Sequence, residues 1–217
     1  MFKEMANASV AAGQKAYMRN QFEFYGLKTP VRRALQKQLF QKERLPPKDE
    51  VAGIVKTLWG HPQRECHYLA QELLKKYLNN LEEQDIALYE FMITHNSWWD
   101  TVDFIAVNLV GRYFRKFPSK RDAHVTKWLA SGNIWLQRTA LLFQLKYKES
   151  LDTTLLSDSI EKLLGSREFF INKAIGWILR EYSKTNAAWV IQFVNSTPLH
   201  SLSRKEALRL MKPDRNF

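Results

Sequence analysis

The chain has 217 residues, 45% of them hydrophobic, which is enough to bury one substantial core as a single domain or as two small ones. Lys and Arg number 33 against 22 Asp and Glu, so the formal net charge is +11. This excess predicts a polyanionic partner, above all nucleic acid, and is unlike the near-neutral balance of an ordinary cytosolic enzyme.

Helical periodicity dominates the chain from its first third onward. Apolar residues recur at spacings of three and four in the windows Arg64 to Leu78, Trp98 to Phe114, Ile134 to Tyr147 and Phe169 to Tyr182. The segments between them are typical of helix ends, with Thr29-Pro30 as N-cap and first-turn proline and with breaks at Pro46-Pro47, Asn96-Ser97, Phe117-Pro118-Ser119 and Ser131-Gly132-Asn133. No alternating strand pattern occurs, so the sequence predicts an all-α fold.

Six alanines mark a repeat when the predicted helices are aligned. They are spaced by 36, 36, 34, 34 and 33 residues, and the position three residues later is mostly large and apolar; the alanines are Ala34, Ala70, Ala106, Ala140, Ala174 and Ala207. A period near 34 with two helices per unit indicates a solenoid of stacked helix pairs. We therefore predict one domain, residues 1–217, built as a right-handed α-solenoid of about six HEAT-like helix pairs with a concave basic face. The segment before Tyr17 is weakly patterned, so we expect the first repeat to pack loosely.

An acid stands in an unusual place in the third repeat. At 100° per residue, Trp99, Asp103, Ala106 and Val110 fall on one narrow stripe that is otherwise apolar, so the carboxylate is either paired or kept for a function. The repeat places Arg138 and Trp177 on the corresponding helices of the next two units. Neighbouring repeats lie side by side, so these residues are predicted to converge. The alternative is a structural ion pair between Asp103 and Arg138, with the tryptophans as core residues.

Sequence motifs give no indication of a cofactor, a metal or a membrane segment. The single cysteine, Cys66, excludes an internal disulfide and has no second cysteine or HExxH pattern beside it. The chain has no glycine-rich phosphate loop, no apolar run near the roughly 18 residues of a membrane span and no apolar segment typical of a signal peptide. We expect a cytoplasmic protein without cofactor or metal.

Four strings carry a resemblance to a known family. SWWDTVDFIA (97–106), NIWLQRTALLFQLKYK (133–148), EFFINKAIGWILREYSKTN (168–186) and YMRNQFEFYGLKTPVRR (17–33) resemble the bacterial DNA alkylation repair glycosylases of the AlkD family. The similarity runs over nearly the whole chain in the same order. It implies a HEAT-like solenoid that holds duplex DNA and excises cationic N3- and N7-alkylated purines such as 3-methyladenine and 7-methylguanine.

The same resemblance assigns roles to single residues. It implies a catalytic cluster of Asp103, Trp99 and Trp177, with Arg138 from the intervening repeat contacting DNA beside it. It also implies that the damaged base stays largely stacked instead of being flipped into a pocket, the route that most glycosylases take. Bulky cationic adducts are then expected to be tolerated as well. No lysine of the matched cluster is placed as a Schiff-base nucleophile, which favours a monofunctional enzyme.

Elementary chemistry is consistent with these roles. An N-alkylated purine already carries a positive charge, so its glycosidic bond breaks without a strong general acid. Asp103 would stabilise the oxocarbenium-like sugar and orient water, and the faces of Trp99 and Trp177 would pack on the deoxyribose and attract the same charge. Asp103 must then be ionised, unlike the acid of a typical glycosidase. Asp100, in a first helical turn, is better explained by the helix N-terminus.

Further phosphate contacts are predicted from basic character and motif position. Thr29 and Arg33 lie at a proline-started helix N-terminus, which suits an anion; the other candidates are Tyr17, Lys146, Lys173 and Arg180. Each has the alternative interpretation of a solvated surface side chain.

Three functions are compared on these grounds. The first is a monomeric glycosylase that binds duplex DNA with alkylated purines, associates with the nucleoid and needs no protein partner. The second is a non-catalytic solenoid that binds damaged or branched DNA, and the third is a protein-interaction scaffold. The acid and both tryptophans favour the first over the second, and the +11 charge favours DNA over a protein partner.

Overall fold

Helices form every regular element of this computed structural model, which describes residues 1–211. The α-helices are α1 (Ala8–Tyr17), α2 (Thr29–Leu39), α3 (Lys48–Trp59), α4 (Arg64–Leu74), α5 (Asp85–Thr94), α6 (Trp99–Phe104), α7 (Gly111–Lys116), α8 (Pro118–Ala130), α9 (Ile134–Leu142), α10 (Thr153–Glu161), α11 (Phe169–Tyr182), α12 (Ala187–Ser196) and α13 (Ser201–Ala207). A π-helical segment, Ile105–Val110, joins α6 to α7, and short 3₁₀ turns lie at Lys3–Met5, Lys42–Arg44, Lys75–Asn80 and Lys148–Ser150. The all-α prediction is confirmed. Positions 212–217 of the predicted domain lie outside the described residues.

The chain divides into two compact units, Met1–Glu82 and Glu83–Phe217. Each has an apolar core of its own. In the first unit the core centres on Val51, Val55, Trp59, Ala70 and Leu74, and in the second on Ile105, Leu109, Trp128, Phe143 and Ile175. The single domain over residues 1–217 stays a prediction.

Helices α3 and α4 pack on each other in the first unit, whereas α1 contributes no buried residue. The expected loose packing of the first repeat stays a prediction, because α1 is tied to the following loop by the hydrogen bond from Gln14 Nε2 to the Leu27 carbonyl. The loop after α1 is held by a buried carboxylate, because Glu65 accepts hydrogen bonds from the backbone amides of Tyr25, Gly26 and Leu27. Gly26 has a φ of 86°, and a Cβ there would lie 2.0 Å from the Asn7 carbonyl oxygen, so glycine is required.

The alanine alignment is confirmed in five helices and wrong in α2. Ala70, Ala106, Ala140, Ala174 and Ala207 are all buried, but Ala34 is exposed. Helix α2 instead turns Arg32 and Gln36 inward, one helical turn apart, and Arg32 donates to the Gln36 side chain and to Glu72. This polar inner face is invisible to an alignment that follows small and apolar residues.

Inner helices of the second unit contact one another in chain order. Helix α6 packs on α9, α9 on α11 and α11 on α13, while α8, α10 and α12 pack against these helices from outside the series. Such neighbour-to-neighbour packing is what an α-solenoid requires. Gly111 permits a close approach, since a Cβ there would lie 2.6 Å from the Phe143 carbonyl oxygen.

Burial along the predicted stripe of Trp99, Asp103, Ala106 and Val110 is deeper in its second half. Ala106 and Val110 are fully buried, whereas Trp99 is half-buried and the Asp103 side chain keeps 14% of its surface exposed. The reason is the π segment Ile105–Val110, whose wider turns change the angle between residues before and after it. The acid therefore stands at the edge of the core and not on its buried face.

Candidate functional site

The carboxylate of Asp103 and the guanidinium of Arg138 form a bidentate ion pair. Arg138 Nε donates to Asp103 Oδ1 at 2.7 Å, and Nη2 donates to Oδ2 at 2.9 Å. The Arg138 side chain is 6% exposed and that of Asp103 is 14% exposed. Two parallel charge-assisted bonds at low exposure fix both side chains, and a small part of the Asp103 side chain remains accessible to solvent.

Local sequence places both groups. Asn96, with a φ of 49°, turns the chain before α6, and Trp98 is extended at the N-cap, so Asp103 falls just after the first turn. Asn133 caps α9 by accepting from the amides of Trp135 and Leu136. Arg138 then lies just after the first turn, beside α6. The sequence-predicted approach of these two residues is confirmed, and so is the ion pair of the alternative interpretation.

Arg138 also ties a third helix to the pair. Its Nη1 donates to the backbone carbonyl of Phe170 in the first turn of α11, and its guanidinium carbon lies 5.9 Å from the centre of the Phe170 ring. One guanidinium thus connects α6, α9 and α11. Each of its three nitrogens donates one hydrogen bond in this arrangement, which a lysine cannot reproduce.

Burial raises the pKa of the Asp103 carboxyl above its ordinary value, and the nearby Asp100 carboxylate raises it further. The hydrogen bonds and the charge of Arg138 act in the opposite direction. The bidentate contact with the guanidinium therefore favours the ionised form of the carboxyl against the effect of burial. The site therefore presents a partly dry, fixed negative charge.

Trp99 and Trp177 are both half-buried. Trp99 opens α6 and precedes Asp103 by four residues, so their side chains share one face of that helix. Trp177 lies on α11, seven residues after Phe170 and on the same face as the residue that Arg138 contacts. The packing order brings all four predicted residues onto adjacent helices, and the convergence of the two indole rings on Asp103 stays a prediction.

An aromatic cluster at the start of the three helices was not predicted from the sequence. Trp98 lies 5.7 Å from Trp135 and 5.3 Å from Phe170 between ring centres, and Trp135 lies 5.0 Å from Phe170. The Nε1 of Trp98 is buried without a hydrogen-bond partner. The sequence does contain a signal for this cluster, namely an aromatic residue at or near the first position of each of the three helices. This cluster supports the end of α6 that carries Trp99.

Lys173 and Arg180 are not the solvated surface charges of the alternative interpretation. Both pair with Glu206, a carboxylate of α13 that is 8% exposed, and Lys173 Nζ lies 2.9 Å from its Oε2. Glu206 was missed because an acid beside a buried alanine carries no sequence signal of its own. Lys146 is exposed and donates to Asn108 Oδ1 at 3.1 Å. Asn108 belongs to the π segment, five residues after Asp103.

Tyr17, Thr29 and Arg33 belong to the first unit. Tyr17 is 70% exposed at the end of α1, and Arg33 Nε lies 3.9 Å from the Glu72 carboxylate. The prediction of Thr29 as N-cap is wrong by one residue, since Lys28 is the N-cap and Thr29 is the first residue of α2. Exposed Thr29 and Arg33 still lie on the first two turns of that helix. Their contact with phosphate stays a prediction.

Cys66 is buried, and burial raises the pKa of its thiol to about 11, so it is a packing residue and not a nucleophile. Within residues 1–211, no three His, Cys, Asp or Glu side chains are grouped as metal ligands would be. Over the same residues, no helix has the length and apolar character needed to cross a bilayer.

Comparison with known proteins gives consistent results. The sequence model of a family described as DNA alkylation repair enzyme matches residues 1–211. Among solved structures, the chain is similar to a protein described as a predicted DNA alkylation repair enzyme from Enterococcus faecalis, with a TM-score of 0.89 and 30% sequence identity. That match covers 95% of this chain and 96% of the other. No curated protein matches the sequence.

Proposed function

Because the chain belongs to the family of DNA alkylation repair enzymes, we propose that it is a monofunctional DNA glycosylase for cationic N3- and N7-alkylated purines in duplex DNA. The substrates are 3-methyladenine and 7-methylguanine. The observation that carries the proposal is the bidentate pair of Asp103 and Arg138 at the edge of the core, one helical turn after the half-buried Trp99.

The reaction needs one ionised carboxylate. The bond between C1′ of the deoxyribose and the purine nitrogen breaks, its electron pair neutralises the departing base, and positive charge develops on the sugar. Asp103 faces that charge with the lone pairs that Arg138 does not engage and orients the water, which adds to C1′ and releases a proton to solvent. A fixed anion in a partly dry site stabilises such charge far better than bulk water does.

Arg138 holds the Asp103 carboxylate in place and leaves part of its hydrogen-bonding capacity unused. Both carboxylate oxygens accept from the guanidinium, and each retains a lone-pair direction for water or for the sugar. Arg138 also contributes positive charge toward the phosphates next to the damaged nucleotide. It is therefore a positioning residue for Asp103 and a DNA contact.

The tryptophans contact the sugar in this scheme. Trp99 and Trp177 are half-buried, so part of each indole remains open for the deoxyribose. An indole face attracts a developing cation and excludes bulk water. The base needs no pocket if the enzyme approaches from the sugar and phosphate side, so the lesion stays stacked and selection depends on its charge and lability.

Duplex DNA is the proposed partner, and water is the only co-reactant that the hydrolysis needs. Phosphate contacts come from Tyr17, Thr29, Arg33, Lys146, Lys173 and Arg180 in addition to Arg138. With a net charge of +11, we expect the affinity for DNA to fall steeply with salt. We also propose that the protein acts as a monomer in the cytoplasm.

Release of free base from methylated duplex DNA tests this function. The enzyme in excess is mixed with duplex that carries 7-methylguanine or 3-methyladenine, and the released base and the abasic site are both quantified. The proposal expects equal amounts of each, without strand cleavage. If the enzyme releases neither base under single-turnover conditions, the glycosylase proposal is wrong.

A non-catalytic protein that binds damaged DNA is the second candidate. The observation in its favour is that both oxygens of Asp103 are already engaged by Arg138, as in a purely structural ion pair. Under this alternative, methylated duplex is bound more tightly than unmodified duplex, and no base is released.

A further inference from the structure

A second buried carboxylate lies among cations away from the Asp103 pair. Glu206 of α13 is 8% exposed, and Lys173 Nζ lies 2.9 Å from its Oε2. Its Oε1 pairs with Arg180 and lies 3.3 Å from Arg209 Nη1. A single acid therefore holds three cations, which is more than a surface ion pair would need.

The two cations on α11 stand on either side of Trp177. Lys173 precedes Trp177 by four residues and Arg180 follows it by three, so the three side chains share one helix face. Gly176, directly before Trp177, makes room for this arrangement, because a Cβ there would lie 2.5 Å from Cβ of Glu206. Glycine at position 176 therefore allows Glu206 to approach α11 closely.

Positive charge exceeds negative charge around this acid. The pKa of Lys173 is lowered by burial and by the charges of Arg180, Arg209 and Arg138. Around Glu206, three cations, Lys173, Arg180 and Arg209, face two carboxylates, those of Glu206 and Glu181. This excess of positive charge favours the binding of an anion from solvent, and the phosphates of DNA are such anions.

We propose that Glu206 is a positioning residue, which holds Lys173 and Arg180 on either side of Trp177 so that they bind phosphates of the strand whose sugar Trp177 contacts. This inference rests on the proposed function for the contact between Trp177 and sugar. The carboxylate fixes where the two cations stand relative to Trp177, which serves the geometry of excision, although it also competes with phosphate for them.

The role has a consequence that a purely structural ion pair lacks. Glu206 competes with DNA phosphate for the same two cations, so it orders them and weakens their binding to DNA at the same time. Loss of its charge should therefore tighten the binding of DNA and slow the excision of the base. A residue that only supports folding would lower the melting temperature and weaken both activities together.

Glu206→Gln tests this with Glu161→Gln as the matched control. Both substitutions remove one negative charge, and Glu161 is exposed at the end of α10. Three quantities are measured: the melting temperature, the salt dependence of binding to unmodified duplex, and the single-turnover rate of 7-methylguanine release at saturating enzyme. For Glu206→Gln, the plot of log K for DNA binding against log salt concentration should be steeper than for the control by about one unit of slope. The variant should also release 7-methylguanine about tenfold more slowly than the control.

Equal slopes and equal rates in the two variants would overturn the proposal, and so would weaker DNA binding by Glu206→Gln. If that variant does not fold, Glu206→Asp is measured in the same way, since it keeps the charge and withdraws it by one methylene. It should keep the wild-type salt slope and lose several-fold in excision rate; unchanged excision would overturn the proposal. The salt dependence of binding to unmodified duplex distinguishes a failure of the Glu206 proposal from a failure of the glycosylase proposal. It tests Glu206 even if the protein releases no base.

Discussion

Asp103 and Arg138, 35 residues apart in sequence, meet through two hydrogen bonds of 2.7 and 2.9 Å between neighbouring helices. The pair stabilises the packing of α6 on α9 and also fixes an anion at the edge of the core. The same ion pair can therefore serve a structural role and a catalytic role. Substitutions that remove charge but keep the shape of the side chain distinguish the two roles.

Asp103→Asn should abolish most excision and leave DNA binding nearly unchanged. The amide keeps the shape and one acceptor for Arg138 but removes the charge that stabilises the sugar cation, so we expect a loss of about 10²- to 10³-fold in single-turnover rate. Release of 7-methylguanine and binding to unmodified duplex are measured side by side. Asp100→Asn is the control and should retain activity, because Asp100 lies in the first turn of α6. A parallel loss of DNA affinity in Asp103→Asn would indicate a structural ion pair.

Arg138→Ala should weaken both binding and excision and should also destabilise the protein. It leaves the Asp103 carboxylate without its partner and removes the link to the Phe170 carbonyl. Loss of one partner of a buried pair costs about 3–5 kcal/mol, which thermal or denaturant unfolding will detect. Arg138→Lys keeps the charge but not the bidentate geometry, so an intermediate loss is expected. Wild-type excision by Arg138→Ala would contradict the assigned role.

Trp177→Ala and Trp99→Ala should each slow excision by about 2- to 30-fold, the range that corresponds to about 0.5–2 kcal/mol of cation–π attraction. Replacement by Phe keeps an aromatic face and should recover part of the rate. Trp189→Phe is the control, since Trp189 of α12 stacks on Phe193 at 5.1 Å between ring centres. If the Phe variants are no faster than the Ala variants, the rings serve packing instead of charge stabilisation.

The pH dependence of excision should follow the raised pKa of Asp103. Protonation removes the catalytic anion, so the rate should fall as the pH drops through a value above the roughly 3.9 of an ordinary aspartate. Because the folded-state pKa is raised, protonation of this group favours the folded state relative to the unfolded chain, and its loss of charge does not cause unfolding. Rates and melting temperatures measured across the acid range will separate the two effects. A rate that falls only together with the melting temperature would contradict this prediction.

Sequence reasoning was most successful where local chemistry decides the structure. The window Phe169 to Tyr182 has the bounds of α11, and the repeat register brought Asp103 next to Arg138. It failed where tertiary packing decides. The π segment Ile105–Val110 has the composition of an ordinary helix, and the pairing of Glu206 with Lys173 depends on how α13 approaches α11. The polar inner face of α2 likewise has no counterpart in an apolar pattern.

Gly176→Ala should destabilise the protein although alanine is the better helix former. A Cβ at position 176 would lie 2.5 Å from Glu206 Cβ and 2.9 Å from the Ser203 carbonyl oxygen, so α13 would have to move away from α11. Overpacking of this kind costs about 1–3 kcal/mol. Gly53→Ala is the matched control, because Gly53 also lies inside a helix and has no atom within 4 Å of its Cβ position. That substitution should stabilise by about 0.5–1 kcal/mol. The two substitutions should therefore change the free energy of unfolding, measured with denaturant, in opposite directions. That result would show that α13 reaches α11, and Glu206 reaches Lys173 and Arg180, only because position 176 has no side chain. A stabilised Gly176→Ala would contradict this prediction.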